Sequence, residues 1–188
     1  MGKVKFGLSN VHIAPFTITD GVINYETPVK VPGAVSISLD PSGDTADFFA
    51  DNIKYYSSST NQGYEGDLQI AMLPDELRTT IFGETKDKNG AYIESANDVI
   101  KPFALGFELE TDKLGRRFWY YNCNVSRSKN ESSTTETSKT PATDTLTIKA
   151  LPREADDKRV RVFLPANSTN TTAYNSFFDE VYEEEPVA

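Results

Sequence analysis

The chain has 188 residues, with 28 acidic against 19 basic side chains, a formal net charge of −9, 38% hydrophobic and 25% charged residues. A mean hydropathy of −0.46 and a pI near 4.7 suit a soluble globular protein of one domain, residues 1–188. A chain of this size can bury ~70% of its unfolded surface without a disulfide or metal staple. The apolar runs are a few residues long, far short of the ~20 of a membrane helix. No apolar segment follows the basic start Met1–Lys5 as in a signal peptide, and Phe6 stands where a myristoylation signal needs Ser or Thr.

Taken in chain order, most segments predict strands. Val4, Phe6 and Leu8 alternate with polar or small residues, and Asp20-Gly21 and Pro28 mark turns. In Ala34–Asp40, Val35, Ile37 and Leu39 share one face and Ser36 and Ser38 the other, before Pro41–Asp44 breaks the run. Residues 40–65 read as a long hairpin or loop, with aromatics Phe48, Phe49, Tyr55 and Tyr56 on its body and a flexible polar stretch at Ser57–Gly63. Alternation resumes in Gly66–Met72, with Leu68, Ile70 and Met72 opposite Asp67 and Gln69.

Leu73–Gly83 predicts a short helix. Pro74 suits its first turn, Asp75 and Glu76 its positive end, Gly83 its C-terminal stop, and Leu73, Leu77 and Ile81 one face. Residues 84–97 are polar and loop-like, with an Asn89-Gly90 turn. Phe103–Glu110 and Arg116–Val125 form strands of a hairpin, with Leu105, Phe107 and Leu109 inward and Glu108 and Glu110 outward. Residues 126–142 form a flexible polar loop, and Thr143–Leu151 and Arg159–Leu164 are further strands. Thr172–Tyr182 predicts an amphipathic helix capped by Thr172, packing Tyr174, Phe177, Phe178, Val181 and Tyr182 on the core. Residues 183–188 are a disordered acidic tail.

The chemistry-bearing residues are sparse. Acidity opposes binding to duplex phosphates, and the dense basic spots, Arg116-Arg117 and Lys158–Arg161, read as solvated surface. Cys123 is the single cysteine, so it has no disulfide partner in the chain and reads as a buried, inert thiol. His12 is the single histidine, on a strand with no nucleophile in view. Four Asn-x-Ser/Thr sequons, at Asn124, Asn130, Asn167 and Asn170, carry little weight without a signal peptide. Phosphate loops, dinucleotide fingerprints and zinc-protease motifs are missing from the sequence, and no cofactor, metal or catalytic residue is expected. Two other classes stay open on residues alone. One is a carbohydrate-binding β-sandwich using exposed Trp119, Tyr120 and Tyr121; the other is a hydrolase using Glu108 and Glu110.

Several segments fall in an order that resembles the major tail protein, or tail tube protein, of long-tailed siphophages infecting Gram-positive bacteria. They are Lys3–Val11, Pro32–Leu39, Phe48–Asp51, Gly63–Ala71, Pro74–Arg78 with Gly83, Phe107-Glu108, Tyr121–Cys123, Leu146–Ile148 and Tyr174–Tyr182. The resemblance implies a mainly β fold with minor α: a β-sandwich-like domain with a short flanking helix, a long stacking hairpin and a C-terminal helix. It implies a structural virion protein without enzymatic activity that stacks as six-membered rings into a tail tube for DNA delivery. The implied partners are further copies of itself, a tape-measure protein, the tail tip or baseplate and a tail terminator, all brought together in the host cytoplasm. DNA would pass without specific binding and no membrane would be entered. On this reading Phe48, Phe49, Tyr55, Tyr56 and Tyr64 are the subunit and ring-stacking contacts. Strand parity makes Ser36, Ser38, Asp67, Gln69, Glu108 and Glu110 the lumen-facing candidates.

Overall fold

The computed structural model describes residues 4–111, 115–127, 142–154, 157–167 and 169–185. The first alternating residues open a long strand, β1 (Lys5–Thr19). Asn10 sits in the left-handed region at φ 50°, where the register against the neighbouring strand slips between Ser9 and His12. Asp20 and Gly21, both at positive φ, make a two-residue turn into β2 (Val22–Tyr25), whose twist matches the flanking strands. After β3 (Val29–Lys30) and β4 (Ala34–Ser42), the predicted excursion is a regular hairpin. It is built of β5 (Thr45–Ala50) and β6 (Ile53–Ser59) around Asp51 and Asn52, at φ 53° and 59°. Ser57–Ser59, expected as flexible, are paired in this ladder with Thr45–Asp47.

β7 (Gly63–Ile70) leads to α1 (Asp75–Thr80), which buries Leu73, Leu77 and Ile81 as the spacing requires. Gly83, at φ 77°, lets the chain turn back so that the Glu84 N–H donates to the Arg78 carbonyl. A small ribbon, β8 (Thr85–Lys86) and β9 (Tyr92–Ile93), closes around the Asn89-Gly90 turn, where the Asp87 carboxylate accepts from the Asn89 and Ala91 N–H groups. β10 (Phe103–Thr111), β11 (Arg116–Val125), β12 (Asp144–Ala150), β13 (Arg161–Pro165) and α2 (Thr171–Asn175) complete the chain. Most of the predicted polar loop, residues 128–141, lies outside the described residues, as do 186–188.

The strands pair antiparallel in the order β2-β1-β10-β11-β12-β7-β4, with β13 also beside β11 and β3 beside β1. The fold is mainly β, as expected. The sheet curls until β4 lies against β1, so its inner faces pack on each other as in a sandwich. Between them sits the main core: Val11 and Ile13 from β1, Leu68 and Ile70 from β7, Leu105 and Phe107 from β10, and Leu146 and Ile148 from β12, closed by α1. Each such side chain contributes about 1.5–3 kcal/mol by leaving water. A second core lies on the outer face, where Ala14, Ala104, Trp119 and Tyr121 are covered by Phe177 and Val181 of the C-terminal segment.

β11 serves both cores because it is bulged. Phe103 pairs with Cys123 and Leu105 with Tyr120, so the ladder loses step at Tyr121-Asn122 and the inward parity changes. Phe118 and Tyr120 point inward before the bulge, Cys123 and Val125 after it. A similar slip between Ala34 and Ser36 leaves Val35, expected on the apolar face, 52% exposed. Met72 also departs from its strand face, since β7 ends at Ile70 and Met72 is exposed in the following turn.

The predicted C-terminal helix shrinks to one turn, preceded by Asn170 rather than Thr172. Its aromatics are buried all the same. From its last turn onward, carbonyls of the segment also accept from side chains of β11: Arg117 on Tyr174 and Asn175, and Trp119 Nε1 on Phe177 at 2.8 Å. The acidic tail is also partly fastened. Glu183 receives a two-pronged bond from buried Arg153, at 2.5 and 3.0 Å, and Glu184 lies 3.0 Å from Arg159.

Candidate functional site

Three surfaces carry the unusual chemistry. The first is the β5–β6 hairpin. Phe48, Phe49, Ile53, Tyr55 and Tyr56 are each more than 60% exposed, and Phe48 stands across the ladder from Tyr56. The Asp47 carboxylate, held below its ordinary range by bonds from Lys54 and then Ser57, ties the hairpin to itself. Large apolar side chains gathered on one projecting ribbon are the signature of an interaction site. Tyr64, grouped with them in the sequence, sits elsewhere: half-buried at the hairpin's base, edge-on to Tyr120 at 5.3 Å and beneath the Arg161 guanidinium. Ile53 escapes a reading of the sequence because it is a lone aliphatic residue among more conspicuous aromatics.

The second surface is the outer face of β4, β7 and β12. Their registers align three rows: Ser36, Gln69 and Thr145; Ser38, Asp67 and Thr147; Asp40, Glu65 and Lys149. Behind them Ile37, Leu68 and Leu146 form the core side of the same strands. The rows are bonded laterally: Ser36 Oγ donates to Gln69 Oε1 at 3.0 Å, Thr147 Oγ1 to Asp67 Oδ1 at 2.7 Å, and Lys149 pairs with Glu65 at 3.0 Å. Four predicted lumen candidates, Ser36, Ser38, Asp67 and Gln69, therefore share one wet face. Asp40, Glu65, Thr145, Thr147 and Lys149 join them. The alternation within β12 marks which of its residues are polar-side, but not that β12 lies beside β7.

Glu108 and Glu110 are not on this face. Both are on β10, with β11 between them and β12. Glu110 is exposed near the start of β1, whereas Glu108 is covered. The Glu108 carboxylate accepts from Arg117 Nε at 3.0 Å, Asn10 Nδ2 at 3.0 Å and the Tyr174 hydroxyl at 2.9 Å. Burial pushes its carboxyl up, but these bonds outweigh it and hold it below the ordinary range. Of the two carboxylates of the hydrolase alternative, Glu108 is thus engaged by three donors while Glu110 is exposed. Arg117, expected as solvated surface, is the centre of the cluster, stacked 4.0 Å over Tyr174.

The third surface is the C-terminal strap over β11. Three alternate residues of the strand, Arg117, Trp119 and Tyr121, donate from their side chains to strap carbonyls: Tyr174, Phe177 and Tyr182 in turn. His12 stacks on Phe178 with ring centres 4.6 Å apart, and burial is the chief cause holding its imidazole below its ordinary value. Trp119, Tyr120 and Tyr121, the aromatics a glycan-binding face would need exposed, are buried to 3% exposure or less. That overturns the surface on which the carbohydrate reading rested. Cys123 is fully buried and burial raises its thiol pKa, as an inert thiol requires.

Among the described residues no group of three His, Cys, Asp or Glu side chains is placed to hold a metal, and no helix is long and apolar enough to cross a membrane. A family model described as phage tail tube protein matches residues 18–184, nearly the whole fold from the end of β1 to the strap. The chain belongs to the phage tail tube protein family. No curated protein matches it. As a tail tube protein it is a structural component of the virion that self-assembles into a tube. A tube subunit needs surfaces that meet other copies, and the exposed hairpin is of that kind.

Proposed function

We propose that this tail tube protein forms six-membered rings that stack coaxially, with the β4–β7–β12 face lining the bore and the β5–β6 hairpin reaching a neighbouring copy. The observation that carries the reading is the hairpin: five large apolar side chains stand exposed on one ribbon among the described residues. A hairpin of two strands buries too little to keep such side chains in water without a further partner. The wet face supports the assignment of the bore. It is polar, Ser36 bonds to Gln69 and Thr147 to Asp67 within it, and Asp40, Glu65 and Asp67 outnumber Lys149, so it repels phosphate.

In this reading DNA passes through without specific binding. Rings grow on a tail tip or baseplate around a tape-measure protein, a terminator ends the tube, and assembly takes place in the host cytoplasm. Residues 1–188 act as one tube-forming domain, and Phe48, Phe49, Tyr55 and Tyr56 make the stacking contacts, with Tyr64 as the pivot at the hairpin base. Electron microscopy of concentrated protein, alone and with tip complex and tape measure, tests this. Tubes with a six-fold repeat are expected; monomers under every condition would refute it.

A further inference from the structure

We propose that Glu65 is a masking residue: it cancels the charge of Lys149 on the wet face and so keeps the bore from gripping DNA. The inference rests on the bore assignment above. Among the described residues of β4, β7 and β12, Lys149 is the sole Lys or Arg. It stands directly across from Glu65, which stands across from Asp40. Lys149 Nζ lies 3.0 Å from Glu65 Oε1, both side chains about half exposed at 54% and 50%. A pair this exposed adds little to stability. Its effect on the face is larger in kind. Unmasked, Lys149 would offer a phosphate a direct ionic partner with release of a condensed counterion, repeated in every copy along the tube.

Assembled open-ended tubes are incubated with a short fluorescent single-stranded DNA, and DNA sedimenting with the tubes is measured against salt. Glu65→Gln tubes are expected to retain several-fold more DNA than wild-type tubes at low salt. The logarithmic salt slope should steepen by ~0.7 for each phosphate that an unmasked lysine neutralises. The double variant Glu65→Gln/Lys149→Gln should return to the wild-type level. Equal retention by Glu65→Gln and wild-type tubes overturns the proposal. Should Glu65→Gln not assemble, Glu65→Ala is used in its place; failure of both to assemble makes the pair a structural contact and also overturns it. The bore assignment is checked separately by treating intact Ser38→Cys tubes with a 5-kDa maleimide polymer. Protection supports the bore; ready modification places the face outside, so that reading fails independently of the DNA result.

Discussion

Trp119 stands opposite Gly106 across the β10–β11 ladder, and its ring fills the space a Cβ on Gly106 would need, with three ring carbons 2.8–2.9 Å from that position. The same indole donates to the Phe177 carbonyl, so one side chain covers a glycine and anchors the C-terminal strap.

Gly106→Ala should therefore destabilise the monomer by about 1–3 kcal/mol, since a fully buried ring must shift. Trp119→Ala should cost about 3–5 kcal/mol. Urea melts followed by circular dichroism measure both. If Trp119→Ala left stability intact and instead removed affinity for a glycan, the packing role assigned to this ring would be wrong.

Phe48→Ser and Tyr56→Ser address the opposite kind of aromatic. Both side chains are more than 60% exposed in the single chain. Monomer stability should change by no more than about 0.5 kcal/mol, while tube formation, read by sedimentation and electron microscopy, should fall sharply. A large loss of monomer stability would show that the hairpin serves its own fold.

Stability should decline as the solution becomes mildly acidic. His12 titrates near 6.5 in the unfolded chain and is held lower in the fold, chiefly by burial, with Lys30 and Arg117 adding to it and the Asn10 carbonyl and Asp179 opposing. The unfolded state thus takes the proton first, so the contribution is complete above about pH 6.5 and is lost as pH falls through the folded value. Glu108, whose folded pKa is also depressed, acts in the same direction below its ordinary value of 4.5. His12→Phe keeps the stack on Phe178 and should flatten the pH dependence between about pH 7.5 and 5.5. An unchanged slope would assign that window to other groups.

Cys123 should resist thiol reagents in the native protein, because it is fully buried and burial raises its pKa. Reaction with a chromogenic disulfide should follow the unfolding rate across a denaturant series. Rapid labelling without denaturant would contradict the burial.

Strand identity is legible because alternation is local. The core side of β7 and the buried face of α1 follow from residue order alone, and so do the turns at Asp20-Gly21 and Asn89-Gly90. The hairpin between 40 and 65 is legible as a segment rich in aromatics with nothing of its own to cover them. Parity fails where the ladder slips. Val35 is turned outward by the bulge beside it, and the inward side of β11 changes at Tyr121-Asn122. Helical periodicity in 172–182 marks the residues that are buried, but not the conformation that buries them.

An acidic, strand-rich chain with alternating faces and an aromatic excursion is written into the order of the residues, since those properties depend on neighbours a few positions apart. It takes the folded chain to place Ser36, Ser38, Asp67 and Gln69 on one face with Glu65 and Lys149, to engage Glu108 with Arg117 and Tyr174, and to bond strap carbonyls to side chains of β11. Most of these contacts join residues tens of positions apart. Which partner a strand face or a carbonyl finds is fixed by the pairing of whole elements, and that pairing is chosen by the summed burial of the two cores.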